Sequence, residues 1–215
     1  MTTTACIVQA RLGSTRLPAK ILLPLPTERT VLEEVLHRCR RIPGVDVVVA
    51  AIPDTPENDI LLGFINRSGQ FHAFRGPEHD VLARYAKAAE AVNAGVIMRI
   101  TADCPLIDVS TCGQMLAWFK SSVFDYASNS WPAREFPQGW DCEIFTRDTL
   151  MRAHEAAIDP SDREHVCPHM QRNENLLRGY FKPLQDRSHL RWTLDTLEDY
   201  IRIWGVFEQQ ILEAA

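Results

Sequence analysis

The stretch VDVVVAAIPDTPENDILLGFINRSGQFHAFRG, residues 45–76, holds one full period of the pattern that decides the fold. It opens on a valine-rich apolar run (45–52), continues through ENDILLGFINRSG (57–69) with apolar residues at helical spacing, and closes on a second β-rich run, QFHAFRG (70–76). A run that is apolar at successive positions suits a strand buried on both faces, as in parallel sheets. The alternation extends outward in both directions. ACIVQA (5–10) and VIMRITAD (96–103) read as strands, and TVLEEVLHRCRR (30–41) and DVLARYAKAAEAVNAG (80–95) as helices, with Gly69 and Gly95 placed where helix ends favour glycine. Four strands alternating with three helices predict an α/β fold with a mostly parallel, doubly wound sheet between helical layers.

The second half is less regular. DYASN (125–129), CEIFT (142–146), LLRGYFKPL (176–184) and LRWTLD (190–195) read as strands around a Pro- and Trp-rich loop at 131–140, with room for antiparallel pairing. No repeat, low-complexity tract or linker divides the 215 residues, so one domain is expected. A balance of 23 Lys plus Arg against 28 Asp plus Glu argues against a general nucleic-acid or membrane-surface binder. The opening residues lack a charged segment followed by a long apolar one, and no run approaches about 20 apolar residues, so a cytoplasmic chain without membrane insertion is expected. Six cysteines without a CxxC pair are then expected to be free thiols.

In open α/β sheets ligands sit beyond the carboxyl ends of the strands, so the loops after Ala10, Ile52, Gly76 and Asp103 are expected to share one crevice. The first of these loops, QARLGSTRLPAK (9–20), gathers Arg11, Arg16 and Lys20 with the hydroxyls of Ser14 and Thr15 and the turn residue Gly13. Planar guanidinium forks, a mobile ammonium and turn amides suit a triphosphate. The loop matches neither GxxxxGK[ST] nor GxGxxG. Asp103, at the tip of an apolar strand, is placed to hold Mg2+, which needs only one or two carboxylates beside water and phosphate; satisfying loop amides is its other reading.

Asp141 and Glu143 alternate along GWDCEIF and on a strand share a side, facing either acceptor or metal, or solvent at a sheet edge. Arg163, Glu164 and His165, with His189, Arg191 and the loop REFPQGW that begins at Arg134, offer cations for an acidic acceptor. An exposed Arg163–Glu164 pair is the plainer reading of those two. His165, Cys167 and His169 fall short of a zinc site, because on a helix Cys167 points away from both histidines.

The segment IVQARLGSTRLPAKIL (7–22) resembles the opening signature of the cytidylyltransferases that activate sugar acids, in the spore coat polysaccharide biosynthesis protein F group. FRGPEHDVLARY (74–85), RITADCPLID (99–108), REHVCPHM (163–170) and LRWTLDTLEDY (190–200) resemble later blocks of that group in the same order. The resemblance implies a three-layer sandwich of the nucleotide-diphospho-sugar transferase (GT-A-like) type and transfer of CMP from CTP to an acidic sugar with release of pyrophosphate. It assigns the CTP phosphates to Arg11, Ser14, Arg16 and Lys20 and a share of the Mg2+ to Asp195, whose other reading is a cap on the last helix. Ala10, Arg11, Ala51, Pro53, Asp54, Arg75 and Asp80 become candidates for base and ribose. A homodimer is implied, with residues 1–108 serving the nucleotide and 109–215 the acceptor and dimerisation. Ala19 stands where the family usually has glycine. A glycosyltransferase of the same fold is the second reading, weakened by the missing Asp-x-Asp pair; a nucleotide-binding module without catalysis is the third.

Overall fold

A computed structural model describes residues 2–214. The period-2 and period-3.6 runs of the first half become β1 (Thr3–Gln9), α1 (Val31–Arg40), β2 (Val47–Pro53), α2 (Asp59–Asn66), β3 (His72–Gly76), α3 (Val81–Ala91) and β4 (Ala94–Thr101). The second half supplies α4 (Val109–Lys120), β5 (Tyr126–Ser128), β6 (Glu143–Thr146), α5 (Arg147–Ala156), α6 (Pro160–His165), α7 (Pro168–Arg172), β7 (Arg178–Tyr180) and α8 (Leu197–Ala214). They form one seven-stranded sheet in the order β3-β2-β1-β4-β6-β5-β7. Only β6 runs against its neighbours; β1 pairs in parallel with β2 and β4, β2 with β3, and β5 with β7.

Alternate residues of the central strands feed two cores. On one face Cys6, Val8, Ala50 and Met98 pack under α1, α2 and α4 through Leu32, Leu61 and Met115; on the other Ile7, Val49 and Ile97 pack under α3, α5 and α7 through Tyr85, Leu150 and Met170. This is why the strands read as continuously apolar. Local chemistry starts the helices. Thr30 and Glu33 form a reciprocal capping box on α1, and Asp80 and Asp108 accept from the amides of Ala83 and Thr111 at the starts of α3 and α4.

Two expectations need correction. Gly95 does not close α3: Asn93 makes that turn at φ 48°, and Gly95 lies inside β4, where a Cβ would run into Thr2. Residues 190–195 form no strand of the sheet. They run extended along the 131–140 loop, with a single bridge from Arg191 to Gln138, and the Trp192 amide donates to the Gln138 carbonyl at 2.6 Å. Gly139, at φ 103°, makes this approach possible, since any Cβ there would strike the Trp192 backbone.

Candidate active site

The chain leaves β1, pairs it with β2 on one side, and returns through β3 and α3 to place β4 on the other. The loops after β1 and β4 therefore diverge and leave a crevice between them. A cavity of about 430 Å³ opens there, floored by Gln9, Arg99 and Thr101 and walled by the 10–20 loop, Asp103, Asp141, His165 and Asp195. The loops after β2 and β3, expected to share it, do not reach it. Asp54 and Asp59 instead clasp Arg75 across the β2–β3 edge.

The 10–20 loop is tied down at both ends. The Leu12 amide donates to Asn58 at 3.0 Å, and the Ala19 amide donates to the Leu12 carbonyl at 3.2 Å. Ala19 itself is left-handed at φ 53°, the conformation for which glycine has no steric cost, and it turns the chain into the short helical turn Lys20–Leu22. That turn sends Lys20 inward. Its ammonium donates to Asp103 at 2.7 Å, to the Leu194 carbonyl at 2.7 Å and to Asp195 at 2.9 Å. Burial disfavours the charge of Lys20, but the two carboxylates outweigh it and hold its pKa above the usual lysine value.

Asp195 also receives Arg16 at 2.9 Å and Arg191 at 2.9 Å. Burial works against its ionisation, yet the Lys20 and Arg191 hydrogen bonds and the Arg16 charge keep its carboxyl below the usual range. Asp199 accepts from the amides of Asp195 and Thr196 and from Arg191 and Arg202, which makes it the anchor of this corner and a cap for α8. Asp103, Asp195 and the Leu194 carbonyl thus converge on one cation. Hard oxygen donors that already accept an ammonium fit a divalent ion such as Mg2+, and two carboxylates suffice when phosphate and water complete the shell. Among the described residues no third His, Cys, Asp or Glu joins them.

A side chamber of about 260 Å³ opens past Arg99 toward Ser130, Asp141, Glu143 and Gln171. Glu143 sits directly opposite Arg99 in the β4–β6 register and pairs with it, while Tyr126 donates to the same carboxylate at 2.6 Å and Gln171 at 3.2 Å. Arg99 donates also to Gln9 at 2.9 Å. Burial opposes its charge, but Glu143 keeps the guanidinium firmly protonated. The Tyr126 hydroxyl is pushed up by burial and by Glu143.

Of the residues singled out in the sequence, Ala10, Arg11, Gly13, Ser14, Arg16, Lys20, Asp103, Asp141, His165 and Asp195 border the main cavity, and Glu143 borders the side chamber. Asp141 precedes β6 in a loop and pairs with Arg134, rather than lying on a strand with Glu143. Asp54, Arg75, Asp80, Arg163 and Arg191 lie off the cavity wall. Arg163 bonds Asp80 at 2.8 Å and the carbonyls of His154 and Ala157, joining the start of α3 to the end of α5; Arg191 braces Asp195 from behind. Helical phase does not separate Cys167 from the two histidines, because α6 ends at His165 and Cys167 is buried in the turn before α7. All six cysteines are free and buried. Sequence reasoning missed Gln9, Arg99 and Thr101. A charged side chain inside the apolar run VIMRITAD was the available signal for Arg99.

A family model described as cytidylyltransferase matches residues 5–209. The spore coat polysaccharide biosynthesis protein SpsF of Bacillus subtilis is 33% identical over 211 residues, spanning 94% of this chain and 85% of that protein. The structure of a cytidylyltransferase from Leptospira borgpetersenii superposes with a TM-score of 0.90 at 32% identity, over 95% of this chain and 86% of its own. The fold also matches that of a CMP:2-keto-3-deoxy-manno-octonic acid synthetase complexed with CTP, with a TM-score of 0.76 at 15% identity over 97% and 100% of the two chains. No helix among the described residues is long and apolar enough to cross a membrane.

Proposed function

The chain belongs to the cytidylyltransferase family and is therefore a nucleotidyltransferase, and from that premise we propose that it transfers CMP from CTP to the hydroxyl of a sugar acid, releasing pyrophosphate in surface polysaccharide synthesis. One observation carries the reading. The cationic loop after β1 and the acids at the end of β4 and before α8, far apart in sequence, meet on the Lys20 ammonium at the switch point of the sheet.

Transfer of a phosphoryl-type group rests on positioning and charge neutralisation. Arg11 and Arg16 present donors along the cavity wall, and Lys20 enters from the loop floor. Asp103 and Asp195 would hold a divalent ion, Mg2+ in our reading, which when bound offsets the charge of the triphosphate. The acceptor belongs in the side chamber, where Arg99, Asp141, Glu143 and Gln171 set a polar lining suited to hydroxyls and an acidic group.

The test is pyrophosphate release from CTP with Mg2+ and a panel of sugar acids that includes 3-deoxy-manno-octulosonate and N-acetylneuraminate, with ATP, GTP and UTP as alternative donors. CTP is expected to support turnover and the others not. Arg16→Ala and Asp103→Ala should abolish it with the fold intact, and unchanged turnover in either variant refutes the assignment.

A further inference from the structure

The carboxylates on the cavity walls are all engaged. Asp103 and Asp195 hold Lys20, Asp141 holds Arg134, Glu143 holds Arg99, and Glu164 lies 3.7 Å from Arg11. The thiols of Cys104 and Cys167, which also touch these walls, are pushed up by burial. His165 differs from all of them. It is exposed, it borders the main cavity, the side chamber and the small recess beside Gln9 and Arg84 alike, and its imidazole makes no hydrogen bond to another described residue.

The backbone that presents it is strained. Val166 has φ 70° and ψ −55°, and the Cys167 amide donates to the His165 carbonyl at 2.8 Å, which closes a γ-turn of the rare positive-φ form. A β-branched residue adopts this conformation only where its surroundings over-determine it, and such positions gather at functional sites. Val166 and Cys167 are sealed in the core beneath α3, and Pro168 starts α7 at once. The turn ends α6 at the point where the imidazole meets the cavity.

We propose that His165 is the general base that takes the proton of the attacking acceptor hydroxyl. This rests on the cytidylyl-transfer reading above. A lone pair of the hydroxyl oxygen forms the bond to the α-phosphorus of CTP. The bond from that phosphorus to its bridging oxygen breaks, and the electron pair leaves on pyrophosphate. The hydroxyl proton passes to a ring nitrogen of His165 and then to solvent. Of the charges packed around the helix, Arg163 pairs with Asp80 and Arg172 with Asp162, which also has His169 at 3.8 Å, while the buried Arg84 is held by the carbonyls of Pro77 and Glu78.

The experiment measures pyrophosphate release from CTP with 3-deoxy-manno-octulosonate and with N-acetylneuraminate across pH. His165→Gln keeps a polar side chain but no base. It is expected to lower kcat by about 100-fold or more, to leave the KM for CTP within about twofold, and to remove the acid limb of the kcat profile. Added imidazole should restore part of the rate to His165→Gly. A His165→Gln enzyme with wild-type kcat, or with lowered kcat and the acid limb in place, overturns the proposal alone. A wild-type enzyme that releases no pyrophosphate with either acid overturns the transfer reading and the base with it.

Discussion

Two ion-paired clusters sit a few side chains apart and are built in opposite ways. Lys20 gathers Asp103 and Asp195 from positions 83 and 175 residues away, at the open end of the sheet. Arg99 meets Glu143 straight across the β4–β6 ladder, where strand register alone sets the pair, and Tyr126 and Gln171 donate to the other oxygen of the carboxylate. In the proposed reaction the first cluster would trade partners with an incoming polyanion. The second is a strand-to-strand strut whose members also line the side chamber. Ion pairs of the same chemistry are thus assembled by converging loops in one place and by strand register in the other.

The largest effect expected is on the strut. Glu143→Ala leaves a buried guanidinium and phenol without their acceptor and should cost about 3–5 kcal/mol in urea unfolding. Asp103→Asn, at the open cluster, should cost stability only on the scale of about 1 kcal/mol while raising the reaction barrier by about 3–4 kcal/mol, read as kcat in the pyrophosphate assay. Equal stability losses in the two variants would erase the distinction.

Acid sharpens it next. The Asp195 carboxyl is held below its usual range, so its contribution to stability is complete above that range and is lost as pH falls through the lowered folded value. Lys20 has the opposite sign: its raised pKa gives a contribution that is complete below the usual lysine value and is lost as pH rises through the higher folded one. Urea midpoints followed from neutral to acid pH should fall less steeply in Asp195→Asn than in the wild type. A parallel fall would show that the open cluster carries no pH-linked stability.

Smaller effects test the two strained turns that frame the cavity. Val166→Gly should be cheaper than Val8→Gly, an equally buried valine on β1, by about 1–3 kcal/mol, because glycine releases the γ-turn strain. Ala19→Gly should raise stability by only about 0.5 kcal/mol, since relief of the left-handed alanine is partly offset by the freer unfolded chain. Both differences are measurable by chemical denaturation.

Much of this was legible beforehand wherever the cause is local. The doubly buried strands follow from residue type and spacing within a few positions. So does the concentration of Arg11, Ser14, Arg16 and Lys20 after β1. Arg75, Asp80 and Arg163 were legible as charges, but the partners that distant segments bring to them were not: Asp54 and Asp59 to Arg75, and Arg163 to Asp80. Gly95 misled for a related reason: asparagine tolerates the left-handed turn, and what required glycine at 95 was the approach of Thr2, a contact outside its own segment.

By itself, then, the sequence determined the alternation of strand and helix, the burial of the central strands and the cationic character of the first loop, all set by interactions between near neighbours along the chain. Only the tertiary structure decided that the crevice opens between β1 and β4, that Lys20 faces Asp103 and Asp195, and that Arg99 stands against Glu143. Those outcomes depend on strand order and register, which arise when distant segments compete to bury the same apolar surface, and no short window of residues encodes that competition.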